Sequence, residues 1–253
     1  MGESRRNNLP EGIRTMNVLL ANSLLDLVFP RSCVGCHGRA GDEFRYLCWD
    51  CLAEIRLVKP PYCLLCGDPA YGELPQAYFC QACRKRKHYF DCARSAAVYT
   101  GLIKEMILDF KYRGAVWLGP DLGQLMLACL RTHFRAPAID CVTYVPLHKT
   151  RERERTYNQS FLLAREVADR LDIRVNDCLA RLQATTSQTH LTSAERADNV
   201  RDKFAIKRRS SLKGQSILLV DDVMTTGATV NECARVLKQS GAREVLVLTA
   251  ARG

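Results

Sequence analysis

The chain has 253 residues, 47% of them hydrophobic and 25% charged, a composition that suits one sizeable globular domain with a smaller one, or two small ones. It excludes a disordered or fibrous chain, and no apolar run approaches the length that spans a bilayer. The net charge of +10 points to polyanionic partners, nucleic acid or phosphorylated metabolites, without choosing between them.

Residues 1–14 are polar, contain Pro10 and Gly12, and read as a disordered lead. Between Met16 and Phe29, helical spacing puts Leu19, Leu20, Leu24, Leu27 and Val28 on one side. Asn22 and Asp26 interrupt this run, Pro30 and Arg31 follow it, and no small-residue cleavage site is present. A packing helix is therefore expected rather than a secretory signal.

Four Cys-x-x-Cys pairs come next: Cys33/Cys36, Cys48/Cys51, Cys63/Cys66 and Cys80/Cys83, separated by 11, 11 and 13 residues. Each pair is a knuckle, a turn that aims two thiolates at one metal, and two knuckles complete a tetrahedral four-thiolate site. Eight thiolates make two structural zinc sites. A disulfide framework would call for a secretory context, and a thioredoxin-like motif for a single pair beside a βα unit. Sequential pairing into two zinc ribbons is favoured over a cross-brace, because one short hairpin fits between the knuckles of each ribbon. The module reads as a metal-stapled substitute for a small core before it reads as a nucleic-acid grip, since few aromatics stand beside basic residues. Arg84, Lys85, Arg86, Lys87 and His88 are its candidates for a phosphate-backbone contact, against a plain solvated linker.

Past Asp91 strands and helices alternate. Strands are expected at 93–99, 140–146, 204–206, 217–220 and 244–249, with helices between them at 102–110, 118–129, 161–171 and 230–237. This pattern predicts a parallel sheet flanked by helices, with a core of its own that survives loss of metal. Cys92, Cys129, Cys141, Cys178 and Cys233 fall singly on these elements and read as small buried apolar residues.

Three stretches carry chemistry. Val145 to Gln159 follows a strand at its carboxyl end, where a parallel sheet places ligands. Leu147, His148 and Lys149 there offer backbone amides and a cation to a pyrophosphate, while Arg151, Arg153 and Arg155 are partly compensated by Glu152 and Glu154. Ala180 to Arg201 is long, polar and aperiodic, which marks a functional or disordered segment. The third stretch is ILLVDDVMTTGAT, residues 217–229. A short aliphatic run buried on both faces stops at Asp221 and Asp222, a small hydroxylated loop follows, and the pattern then turns helical. Amides at the loop and helix start suit a phosphate, and the carboxylates suit neutral hydroxyls, so a phosphorylated sugar meets both requirements.

ILLVDDVMTTGAT resembles the phosphoribosyl pyrophosphate (PRPP) signature of type I phosphoribosyltransferases. That resemblance implies that Asp221 and Asp222 hold the ribose diol and stabilise developing positive charge. It also implies that Met224, Thr225, Thr226, Gly227, Ala228 and Thr229 grip the 5-phosphate, and that Mg²⁺ travels with PRPP. A mobile loop closes over the ligand in such enzymes, and Arg181, Gln188, Arg196 and Asn199 are its candidate residues here. His190 is a weaker candidate, a loop histidine that reads more simply as solvated.

With YTGLIKEMILDFKYRG, VPLHKTRERERTYNQSFLLA and LTSAERADNVRDKFAI in fixed order, the chain from about residue 24 resembles the ComF family. The implied fold is an α/β type I phosphoribosyltransferase-like parallel sheet with flanking helices, preceded by a small double zinc ribbon. The expected divisions are 1–30 for the lead and helix, 31–88 for the ribbons and 89–253 for the phosphoribosyltransferase domain. The family implies a bacterial cytoplasmic protein linked to competence and DNA uptake, with PRPP, single-stranded DNA and competence proteins as partners. Some members carry only an amidophosphoribosyltransferase-like label, with nucleotide metabolism implied. No N-terminal nucleophile cysteine or glutaminase-sized domain precedes the sugar-phosphate motif, so this chain is not expected to draw ammonia from glutamine. Two functions stand: a PRPP-dependent transferase with an unidentified acceptor, or a non-catalytic single-stranded-DNA-binding protein in which PRPP is a regulatory ligand.

Overall fold

A computed structural model describes residues 31–70, 72, 78–134, 138–183, 200–207 and 212–253. The expected helix over Met16–Phe29 and the loop candidates Gln188, His190, Arg196 and Asn199 lie outside the described residues.

After two Cys-rich turns carrying α1 (Trp49–Glu54) and α2 (Gln81–Lys85), the chain runs β1 (Cys92–Val98), α3 (Gly101–Tyr112), α4 (Gly119–His133) and β2 (Cys141–Tyr144). It continues through α5 (Lys149–Arg155), α6 (Gln159–Leu171), β3 (Leu179–Arg181), β4 (Phe204–Ile206), β5 (Ser216–Met224), α7 (Ala228–Gln239) and β6 (Glu244–Arg252). Four strands form a parallel sheet in the order β1-β6-β5-β2. Side chains of β5 alternate between two cores, as a period of two requires. Leu218 and Val220 join α3, α4 and α6 on one face, while Ile217 and Leu219 join α7 on the other.

Three expectations are corrected. The strand at 217–220 extends to Met224, because β6 also runs on to Arg252 and keeps pairing with it, Val223 opposite Ala251 and Met224 opposite Arg252. Both aspartates therefore sit within a strand, and Met224, with its side chain buried, ends that strand rather than belonging to the loop. Phe204–Ile206 is not in the parallel sheet. It pairs antiparallel with Leu179–Arg181, so the polar stretch from Ala180 to Arg201 leaves from and returns to a two-stranded base.

The third correction concerns the core. Cys33, Phe44, Leu47, Cys51 and Ile55 pack into the core on one face of the sheet, and Cys63, Cys66 and Phe90 into the other. Between them the chain lies along the edge of β1: Val58 N–H donates to Ala96 O at 3.0 Å and Val98 N–H to Arg56 O at 2.8 Å. The Cys-rich segment thus straddles the edge strand and covers its unpaired backbone. Of the lone cysteines, Cys129, Cys141, Cys178 and Cys233 are buried as expected and Cys92 is half-buried. No helix among the described residues is long and apolar enough to cross a membrane.

Candidate functional site

Cys33, Cys36, Cys48 and Cys51 form one cluster and Cys63, Cys66, Cys80 and Cys83 another, with all four sulfurs of each within 4.8 Å of one another. Pairing is sequential, as the spacing favoured. Cys36 Sγ to Cys48 Sγ and Cys66 Sγ to Cys80 Sγ are both 3.7 Å. A tetrahedral zinc with bonds of about 2.3 Å spaces its sulfurs about 3.8 Å apart, so the residues fit the metal.

The two ribbons are close copies. Cys48 N–H donates to Cys33 Sγ and Cys80 N–H to Cys63 Sγ, each at 3.3 Å. Val34 N–H bonds Tyr46 O and Leu64 N–H bonds Tyr78 O, each at 2.9 Å. The residue after the second cysteine is left-handed in both, His37 at φ 59° and Gly67 at φ 67°. Burial pushes the Cys33 thiol up, but N–H groups of Cys36, Cys48 and Gly35 outweigh it and bring it down to about 6. At Cys63 burial is again outweighed, by the N–H groups of Cys66, Cys80 and Leu65, and the thiol comes down to about 7. These donors favour thiolate, the form that binds zinc.

The second site lies at the carboxyl ends of β5 and β2. Asp221 and Asp222 are buried there. Asp221 Oδ1 accepts from Ser160 Oγ at 2.8 Å, in the first turn of α6, and from Asp222 N–H at 2.9 Å. Lys111 Nζ, from the last turn of α3, lies 2.8 Å from Asp222 Oδ1. Asp222 Oδ2 is buried with no partner among the described residues, so a hydrogen-bond acceptor stands ready for a donor. Burial, then the neighbouring Asp222, raise Asp221 to about 7. Burial works against the charge of Lys111, and Asp222 outweighs it and holds the ammonium above its usual value.

Beyond β5, Thr225, Thr226 and Gly227 turn the chain into α7. Gly227 takes φ 75° as the N-cap, a left-handed geometry that favours glycine. Gly227 offers no side chain to cap this helix, Asn231 N–H makes its first bond to Gly227 O, and Ala228 N–H reaches Thr226 Oγ1 at 3.4 Å. Its first-turn residues, whose amides lack intrahelical acceptors, border a cavity of about 30 Å³ together with Asp221 and residues 223–227. Val145 N–H bonds Val220 O at 3.0 Å, so the loop that carries residues 146–149 starts beside the strand residue that precedes Asp221. Leu147 and His148 are half-buried and Lys149 is exposed; His148 Nδ1 caps α5 by accepting from Thr150 N–H at 3.3 Å. Arg181, in β3, stacks over Phe204 at 5.2 Å, and burial lowers its pKa while Asp221 acts to raise it.

Sequence reasoning did not single out Lys111, Tyr157, Asn158, Ser160 or Arg252. Asn158 caps α6 and its Nδ2 reaches back to Val145 O at 3.2 Å, joining the loop after β2 to that helix; an Asn before a periodic run is a readable cap signal. Tyr157 Oη donates to Phe110 O. Lys111, Tyr112, Arg151, Arg155 and Tyr157 help to line a cleft of about 490 Å³ that opens beside the acid pair. A larger cleft, about 560 Å³, lies at the opposite end of the sheet near Asp140 and Arg243, away from this chemistry.

Comparison with known proteins matches residues 24–86 to a double zinc ribbon domain and 158–253 to a phosphoribosyl transferase domain. Competence protein F of Haemophilus influenzae is 29% identical over 87% of this chain and 96% of its own. Over most of its length the chain is similar to competence proteins of the ComF type. Its other relatives include the DNA utilization protein YhgH of Escherichia coli K12, 29% identical over 79% of this chain and 88% of that one. Competence protein ComFC of Bacillus subtilis is 28% identical over 77% of this chain and 79% of that one. The chain therefore joins two four-thiolate zinc sites to an α/β phosphoribosyltransferase fold.

Proposed function

We propose that the chain binds PRPP at the carboxyl end of its sheet and acts there as a phosphoribosyltransferase, in the service of DNA uptake and use. The observation that carries this is the pairing of two buried carboxylates with an uncapped, left-handed glycine turn at one strand end. In this reading Asp221 and Asp222 accept from the ribose 2- and 3-hydroxyls. Lys111 releases part of its hold on Asp222 as the diol enters. Residues 225–229 donate backbone amides and hydroxyls to the 5-phosphate. Residues 147–149 face the pyrophosphate, with Arg181 at the edge of the site. Mg²⁺ bound together with PRPP would lower the charge of the leaving group. Asp221 and Asp222 then favour the positive charge that develops at the anomeric carbon as pyrophosphate departs.

The cleft beside Lys111 gives the acceptor a way in. A zinc module over residues 31–88 and a catalytic unit over 89–253 divide the work. In the second reading PRPP is a regulatory ligand and the output is single-stranded DNA binding. Its support is the exposed run from Arg84 to Lys87, tied to the first turn of α7 by Asn231, whose side chain bonds Tyr89 N–H at 2.7 Å and Lys87 O at 3.2 Å. Pyrophosphate release from PRPP, measured against a panel of nucleobases and amines with and without single-stranded DNA, separates the two. Release with any acceptor supports the transferase; PRPP binding without release, together with salt-sensitive DNA binding lost on neutralising Lys85, Arg86 and Lys87, supports the regulatory reading.

A further inference from the structure

The two ribbons are near copies, yet they are fastened to the rest of the chain differently. The first is held by Asp121, at the start of α4, which accepts the N–H groups of Arg45 and Tyr46 at 2.8 Å each. In the second, the position two residues beyond the second cysteine is Asp68, where the first ribbon has Gly38. Asp68 Oδ1 lies 3.0 Å from Arg252 Nη2. The other guanidinium nitrogen, Nη1, donates to Met224 O at 2.8 Å and to Thr225 O. Those carbonyls sit where β5 gives way to the glycine turn.

Arg252 is 8% exposed, so its hydrogen bonds form largely out of water, and its planar fork fixes two directions at once. Asp68 itself is set by the knuckle turn, in which Cys63 N–H donates to Asp68 O at 2.9 Å. The knuckle is pinned to β1 by Ala93 N–H on Leu65 O at 2.7 Å, and a Cβ on Gly67 would come within 2.6 Å of Ala93 O.

We propose that Arg252 is a positioning residue for the phosphate loop, and that the Cys63–Cys83 thiolate site sets its position through Asp68. Metal at that site orders the knuckle, Asp68 then orients the guanidinium, and the guanidinium holds the Met224 and Thr225 carbonyls so that the following amides face the ligand. Coupling of this kind is reciprocal: a ligand on the loop retains the second metal, while among the described residues the first has no such tie. The ligand half of this inference rests on the PRPP reading; the loop half does not.

The test uses the full chain. In ligand-free Asp68→Asn, with two zinc ions still bound, amide hydrogen exchange across residues 225–230 should rise about fivefold, and Arg252→Lys, which changes no residue of the knuckle itself, should do the same. In the wild type, ribose 5-phosphate should slow chelator release of one zinc and not the other, and that protection should vanish in Asp68→Asn. Unchanged exchange at 225–230 in both variants overturns the inference. Raised exchange in proteins that bind no ribose 5-phosphate keeps the inference and removes the phosphoribosyl reading. Equal protection of both zinc ions also counts against it.

Discussion

At Asp222 a carboxylate and the Lys111 ammonium meet at 2.8 Å with little access to water. Removing one partner of such a pair leaves a buried charge uncompensated, at a cost of about 3–5 kcal/mol. Lys111→Met should therefore lower stability to urea by about that much, and Lys111→Met/Asp222→Asn should recover most of the loss; equal stability of the two variants would show that the pair is not coupled. Asp221 behaves differently. Burial and then Asp222 raise its folded pKa to about 7, against about 3.9 in an unfolded chain. The folded state thus takes up a proton between these values, so this group's contribution to stability is complete below about pH 4 and lost as pH rises to about 7. Replacing it in Asp221→Asn should flatten the fall in stability across that window, measured by denaturation at successive pH values; a parallel pH profile would refute the assignment. The acid pair was legible in the sequence because two carboxylates end an aliphatic run. Lys111 was not: a lone lysine at the end of an amphipathic helix has the same pattern whether it meets solvent or Asp222. Arg252 was hidden for the same reason, its partner Asp68 lying far away in the chain.

Among the elements, the helices and most strands follow from periodicity, since the faces of α3, α4, α6 and α7 repeat at helical spacing and bury those residues. The reach of β5 does not. Two aspartates read as the end of a strand, yet Ser160 and Lys111 satisfy them from neighbouring helices and β6 supplies the ladder. β4 is legible at 204–206, but its partner β3 and their antiparallel pairing are not, because β3 is three residues long and the pairing joins segments far apart in sequence. The ribbons' docking also depends on single long-range contacts. Asp121 is buried and accepts two backbone N–H groups from the first ribbon, bonds worth about 1.5–3 kcal/mol each when charge-assisted. Asp121→Ala should cost at least about 3 kcal/mol and speed chelation of the first zinc relative to the second; unchanged chelation would mean that the ribbon is held by packing alone.

Across the whole molecule, zinc does more than staple a separate module. Both ribbons bury residues in the cores that line the sheet and cover the edge of β1. Chelation should therefore lower the melting temperature of the sheet as well as unfold residues 31–88, whereas two independent transitions, one untouched by chelator, would restore the picture of separable units. The cysteine spacing showed the metal sites plainly but gave no sign of this shared core, because burial between distant segments leaves no local period. The most direct test of the central claim is calorimetric titration of Mg²⁺·PRPP into the wild type and Asp221→Asn/Asp222→Asn. Each lost hydrogen bond to charge is worth about 1.5–3 kcal/mol, about tenfold or more in affinity. Saturable binding at one site, weakened at least about a hundredfold in the folded double variant, is the expected result; equal affinity in the two proteins, or no binding to the wild type, would contradict it.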